Sequence, residues 1–262
     1  MKKTFCSLVA LAVSINLIFA QEKAKPEDTE FYTPVPPKVT PGPVTSTKPP
    51  SDAIILFDGK NLDKWVTTDD TTKAATWNVS GGIMTVNKTG GNIQTKQSFR
   101  DYQLHVEWRI PKNITGTGQA RGNSGLFLAS LGKGDAGYEL QILDNYNNTT
   151  YTNGQAGSIY KQFPPLVNPN LPPGEWQNYD VAWKAPRFNA DGSLLSPARV
   201  TVYFNGVLVQ DNTELKGPTL YIGQPSYHQH GPAPIKLQAH GDKSEPLSFR
   251  NIWIRPAELE AK

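Results

Sequence analysis

From residue 51 onward, apolar and polar positions alternate with a period of two in one short stretch after another. In YQLHVEWRI, Tyr102, Leu104, Val106, Trp108 and Ile110 point one way, and Gln103, His105, Glu107 and Arg109 the other. In GYELQIL, Tyr138, Leu140 and Ile142 share one side and Glu139 and Gln141 the other. AIILF, SGLFLAS, YDVAW, VTVYF, VLVQ, IKLQAH and SFRNIWIR read as further strands. Asn205-Gly206, inside VTVYFNGVLVQ, is a strong signal for a two-residue hairpin turn. WNVSGGIMTV predicts a second hairpin turning at Gly81-Gly82. No segment sustains a 3.6-residue apolar period, so the pattern predicts an all-β domain, an antiparallel sandwich or barrel. Between Asn145 and Gln177 strand signals fade. A loop of that length inside a compact domain is more often functional than not.

Upstream of residue 51 the character changes twice. Lys2 and Lys3 precede an apolar run from Leu8 to Phe19, and Ala20 offers a small residue for cleavage, so residues 1–20 read as a secretory signal peptide. The run is too short and too interrupted to favour a membrane span. Residues 21–50 hold eight prolines and read as an exposed arm or linker, partly polyproline II, or as an extension draped over the domain. The folded unit is then residues 51–257. Export implies a periplasmic or extracellular location.

The only cysteine, Cys6, lies in the leader. A mature chain would therefore have no disulfide, thiolate metal site or cysteine nucleophile. The formal net charge of +3 falls by the two leader lysines, and no basic tract remains to attract nucleic acid. A neutral, polyhydroxylated ligand is compatible with this balance. Phosphate-binding loops, dinucleotide fingerprints and His-rich zinc motifs are absent from the sequence.

Three polar faces carry the candidate chemistry. Glu139 and Gln141 share a strand face, and Asp144 rejoins them if the chain bulges; two close carboxyls divide acid and base roles. Glu107 and Arg109 share another face, as an ion pair or as a lining for substrate. Lys236, Gln238 and His240 alternate on a third, ending in an imidazole that titrates near neutrality. Asn123, in RGNSG, suits a sugar hydroxyl or a turn. Trp176 follows a proline-rich loop and is a candidate to stack on a sugar ring, or to anchor that loop.

LFDGKNLDKW, HVEWRI, GNSGLFL, YELQILDN, GQAGSIY, PPGEWQNYDV, VTVYFNGVLVQ, IKLQAHG and FRNIWIR occur in that order. In this the chain resembles the 3-keto-disaccharide hydrolase domain family. The resemblance implies a concanavalin-like jelly roll of two antiparallel sheets, and an exported hydrolase acting on an oligosaccharide or glycoside already oxidised to a ketone at C3. The same architecture occurs in laminarinase-type glucanases, whose E-x-D-x-x-E strand falls on Glu139, Gln141 and Asp144. The middle amide puts their retaining mechanism in doubt, since it needs a carboxylate pair.

A 3-keto sugar needs less. A base removes the C2 hydrogen, the enolate expels the C1 substituent, and water then adds. The resemblance implies Glu139 or His240 as base, Arg109 or Lys161 as enolate stabiliser and Asp144 in proton transfer. Asn123, Gln141, Gln238 and Trp176 would position the sugar, with Glu107 beside them. A divalent cation such as calcium can replace the cationic side chain; no cofactor is otherwise implied. A lectin-like binding module and a conventional glycosidase are the alternative functions.

Overall fold

The computed structural model describes residues 23–43 and 46–257. Residues 1–20, expected to be a leader, lie outside the described residues with Cys6, as does the end of the C-terminal tail. Fifteen strands are formed among the described residues: β1 (Ile54–Phe57), β2 (Trp65–Thr67), β3 (Asn78–Ser80), β4 (Ile83–Thr85), β5 (Ile93–Phe99), β6 (Tyr102–Arg109), β7 (Ser124–Ser130), β8 (Gly137–Ile142), β9 (Trp176–Lys184), β10 (Arg187–Phe188), β11 (Leu194–Ser196), β12 (Arg199–Phe204), β13 (Val207–Glu214), β14 (Ala233–Leu237) and β15 (Ser248–Pro256). Four short 3-10 turns are the only helical elements among these residues.

Two antiparallel sheets make the jelly-roll sandwich. The larger runs β13-β12-β9-β6-β15-β4-β3, with β1 added along β15; the smaller runs β2-β5-β14-β7-β8. β10 and β11 form a separate ribbon. Alternation explains the packing. Leu104, Val106 and Trp108 of β6, Tyr179, Val181 and Trp183 of β9, and Leu126, Leu128, Leu140 and Ile142 of the small sheet all enter one buried core. Three contacts cross between the layers. Tyr102 donates to the Leu128 carbonyl (2.6 Å), Tyr179 donates to the Gln141 carbonyl (2.7 Å), and the rings of Tyr138 and Trp183 lie 5.4 Å apart. Each satisfies a hydroxyl or packs a large ring where an unpartnered polar group would be costly.

Both expected hairpins form. β12 and β13 turn through Asn205 (φ 52°) and Gly206 (φ 75°), the left-handed pair of a type I′ turn. β3 and β4 turn at Gly81 and Gly82. No strand lies between β8 and β9; part of that loop, around residues 155–163, seals the free edge of β8. Gly157 donates to the Gln141 carbonyl, Gln141 to the Ser158 carbonyl, and Tyr160 to the Glu139 carbonyl (3.0, 3.0 and 3.1 Å).

The proline-rich arm lies along the domain. Val39 donates to the Asn168 carbonyl and Asn168 to the Pro37 carbonyl, while Asn153 Nδ2 donates to the Thr29 carbonyl.

Phe249 of β15 is fully buried and stacks on Trp77 (5.9 Å). Phe249→Ala is expected to cost about 3–5 kcal/mol of unfolding free energy, read from a chemical denaturation midpoint at unchanged m-value.

Candidate functional site

The outward face of the small sheet is built by register. Glu139 of β8 sits opposite Phe127 of β7, which sits opposite Lys236 of β14; two residues along, Gln141 sits opposite Gly125. Gln238 extends the same row by donating its amide to the Gly125 carbonyl (3.0 Å). Above this floor lies a cleft of about 280 Å³, lined by Asn123, Asp135, Glu139, Gln141, Tyr160, Thr219, Tyr221, Gln238 and His240.

Glu139 is 5% exposed. Burial raises its pKa to about 8, with the Asp135 carboxylate adding to the rise and Lys236 opposing it. The carboxyl therefore keeps its proton at neutral pH. Gly125 makes room for it: a Cβ there would stand 2.5 Å from Glu139 Oε1 and 2.9 Å from the Phe127 ring. Gln141 is the neighbouring amide. In one orientation it donates to Gln119 Oε1 (3.0 Å); in the other it donates to Glu139 Oε1 (3.2 Å) and the Ser124 carbonyl (2.9 Å). The side-chain oxygen of Gln238 is buried without a hydrogen-bond partner among the described residues.

Lys236, in the same row, is fully buried under the 132–136 turn. Its ammonium donates to the carbonyls of Gly132, Gly134 and Ala136 (3.0, 2.8 and 2.8 Å) and lies 4.7 Å from the Phe127 ring centre. Desolvation lowers its pKa to about 8. All three protons are committed to the turn that carries Asp135, so its work is to hold that turn in place.

His240 stands at the other end of the cleft. Its Nδ1 lies 2.7 Å from Asp242 Oδ2. Burial opposes ionisation of Asp242, but hydrogen bonds from His240 and Ser244 and the Lys88 ammonium outweigh it and hold this carboxyl well below the ordinary range. An anionic Asp242 accepts a hydrogen bond from Nδ1–H, which favours the tautomer with Nε2 unprotonated. This is a positioned base, one-third exposed, in the same cleft as a proton-bearing carboxyl.

The structure gathers Glu139, Gln141, Asn123, Gln238 and His240 at one cleft and leaves the other expected residues elsewhere. Asp144 does not line it. The chain leaves β8 at Ile142, and Asp144 pairs with Arg121 (Nε to Oδ2, 2.6 Å) and accepts from the Tyr146 amide. Glu107, Arg109 and Trp176 belong to the large sheet. Two guanidinium groups lie against the ring of Trp176, Arg109 at 4.6 Å and Arg250 at 4.1 Å from its centre. Glu107 is ringed by Arg250, Asn251, Ser46 and His105, which bring its pKa to about 2 against the cost of burial. Lys161 is buried behind the cleft wall, where its ammonium donates to the carbonyls of Pro26 and Tyr221 (2.6 and 3.0 Å) and meets Glu30 (3.4 Å).

Sequence reasoning missed Asp242, Asp135, Tyr160, Thr219 and Tyr221. Only Asp242 carried a local signal, two residues after His240. The other four reach the cleft from turns and loops with no periodicity. No group of three or more His, Cys, Asp or Glu is placed to hold a metal ion among the described residues. No helix among those residues is long and apolar enough to cross a membrane.

A jelly-roll sheet presenting amides, tyrosines, a neutral carboxyl and an oriented imidazole suits a polyhydroxylated ligand and proton transfer to it. Residues 52–255 match the 3-keto-alpha-glucoside-1,2-lyase-like domain, and the chain belongs to that family. A 3-keto-disaccharide hydrolase of Bacteroides thetaiotaomicron is 26% identical over 156 residues, which are 49% of this chain and 51% of that protein. The match therefore spans about half the length of this curated relative. A crystal structure of a candidate glycosyl hydrolase from Parabacteroides distasonis is 53% identical, with 88% of this chain and 96% of that one covered and a TM-score of 0.76. Another from the same organism, 19% identical over 79% of this chain and 94% of its own, has a TM-score of 0.57 and shares the fold. Family and relatives support a glycosyl-hydrolase-like function.

Gly125→Ala is expected to displace the Glu139 carboxyl, lowering kcat about 10- to 100-fold for a stability loss of about 1–2 kcal/mol; steady-state kinetics and thermal melts check the two effects. Glu139 binds a proton in the folded state between about pH 4.5 and 8 that the unfolded chain releases, so its burial costs stability increasingly across that window. Glu139→Gln is expected to be more stable than the parent at pH 7 by about 1–3 kcal/mol and no more stable at pH 4, measured by urea denaturation.

Proposed function

We propose that the protein cleaves the glycosidic bond of 3-keto-glycosides or 3-keto-disaccharides by elimination and hydration, with Glu139 as acid and His240 as base. The observation that carries this reading is a carboxyl that retains its proton in the same cleft as an imidazole oriented by Asp242.

The carbonyl at C3 of the substrate acidifies the C2 hydrogen. His240 Nε2 takes that proton, and the electrons move into the C2–C3 bond and onto the C3 oxygen. The side-chain amide of Gln238 is the donor at hand for this oxygen, beside those of Gln141 and Asn123, which would exchange their bonds to Gln119 for it. The C1–O bond then breaks as Glu139 gives its proton to the departing oxygen. A double bond between C1 and C2, conjugated with the ketone, is left. Glu139 is now a carboxylate and His240 an imidazolium. Water attacks C1 and yields its proton to Glu139 while His240 returns a proton to C2, which restores both groups. Each residue acts once in each direction.

This assignment narrows the roles read from the sequence. Glu139, neutral when buried, serves as acid, and the base is His240. Asp144, locked to Arg121, does not complete with Glu139 the carboxylate pair that a conventional glycosidase needs. Arg109 and Lys161 are engaged elsewhere. The same reading has the enzyme exported after removal of residues 1–20, which N-terminal sequencing of the mature protein checks.

The test is a pair of glycosides with one chromogenic leaving group, one oxidised at C3 and one not. Release from the keto form alone is expected; equal release from both would overturn the proposal. His240→Ala and Glu139→Gln are each expected to lower kcat about 10²–10⁴-fold. Activity of the parent enzyme is expected to fall as pH rises through about 8, where Glu139 loses its proton, and Glu139→Gln to lack that alkaline limb.

A further inference from the structure

A second cleft, of about 310 Å³, lies between the proline-rich arm and the loop that follows β8. Lys38, Tyr146, Asn147, Asn168, Asn170 and Pro172 are among the residues that line it. We infer that this cleft is a second, non-catalytic binding site for a neutral oligosaccharide.

The chemistry of the walls selects the ligand. Asn168 and Asn170 are 9% and 8% exposed, and they are fixed by their own hydrogen bonds. Asn168 Oδ1 accepts from Asn170 Nδ2 (2.9 Å) and from the Asn170 amide (3.1 Å), and Asn168 Nδ2 donates to the Asn145 carbonyl (3.1 Å). That arrangement leaves Asn170 Oδ1 buried with no partner among the described residues. Asn170 is a wall residue of the cleft, and its unpaired amide oxygen is the kind of acceptor that a hydroxyl satisfies once the side chain turns toward one. Tyr146, 38% exposed, offers a ring on which the C–H face of a sugar packs. Lys38 is the only charged residue in the lining, and its ammonium is engaged by Asn147 Oδ1 (3.3 Å). No carboxylate faces the space. The volume is at the lower end for ligand clefts, about 300–1,000 Å³.

The position of the cleft gives it a use. Tyr146 is four residues beyond the end of β8, the strand that carries Glu139 and Gln141. The arm wall is held in register by the paired bonds between Val39, Asn168 and Pro37, so the site exists only while the arm lies on the domain. A saccharide held there stays near the catalytic sheet without touching the groups that transfer protons.

The experiment is calorimetric titration of the full chain with laminaripentaose, maltopentaose and cellopentaose, none of which carries a ketone. The parent is expected to bind at least one of them. Tyr146→Ala is expected to weaken that binding tenfold or more, and Asn170→Ala likewise if its melting curve shows it folded. Glu139→Gln is expected to bind within twofold of the parent. No binding by the parent, a loss under tenfold in Tyr146→Ala, or a tenfold loss in Glu139→Gln would overturn the inference; the last outcome would mean that the sugars enter the catalytic cleft instead. Turnover of a small 3-keto-glycoside by Tyr146→Ala is expected to match the parent. Because the titration reads binding alone, failure of the proposed reaction leaves this test standing.

Discussion

A carboxyl group removed from water must either find a counter-charge or give up its own, and Glu139 has done the second. The nearest cation, Lys236, has its three protons bound to carbonyls of the 132–136 turn, so Glu139 gets no direct salt bridge from it. Desolvation then governs. The rest of the site follows from that constraint. Gly125 is needed so that the carboxyl can lie across β7, Thr219 caps the Glu139 amide, and the segment around residues 155–163 seals the edge of β8. The protein bears the cost of a buried acid because a neutral carboxyl can donate where an ionised one cannot.

Alternation made the strands legible, and turn chemistry made both hairpins legible, because each signal is local and each has one structural solution. The same rule put Glu139 and Gln141 on one face of β8, as they are, and grouped Gln238 with His240, which lie just past the end of β14. It carries no information about which strands will be partners. Glu107 and Arg109 alternate as cleanly as Glu139 and Gln141, yet β6 lies inside the large sheet and β8 at the edge of the small one. Nothing in the composition of either strand separates those fates. Trp176 illustrates the same limit: a tryptophan after a proline-rich loop is free to stack on a sugar, but the register of β9 with β6 sets it opposite Arg109, and two guanidinium groups pack on its ring.

The large sheet reaches its polar cluster by a device that no periodic pattern contains. Between Arg250 and Trp253, β15 carries one residue more than β6 opposite it. Asn251 takes a left-handed conformation there (φ 44°), as bulged residues do. The bulge turns its amide onto Glu107 Oε1 (2.7 Å) and the Thr47 carbonyl (2.9 Å), joining arm to sheet. The arm is thus fastened at both ends of its course, here and near Lys161, by side chains the sequence offers as candidate chemistry.

Two histidine–carboxylate pairs now stand in one molecule with opposite uses. His105 contacts Asp180 (2.7 Å) and Glu107 (3.5 Å) and stacks on Trp253. Burial disfavours its charge, but the two acids outweigh burial and raise its pKa. Both ring nitrogens are taken and the ring is fully buried, so it has no route to a substrate and serves to tie β6, β9 and β15 together. His240 has one nitrogen committed to Asp242 and a ring about one-third exposed. The chemistry of the pair is the same in both places. Access decides between structure and catalysis, and access depends on the fold of the whole chain.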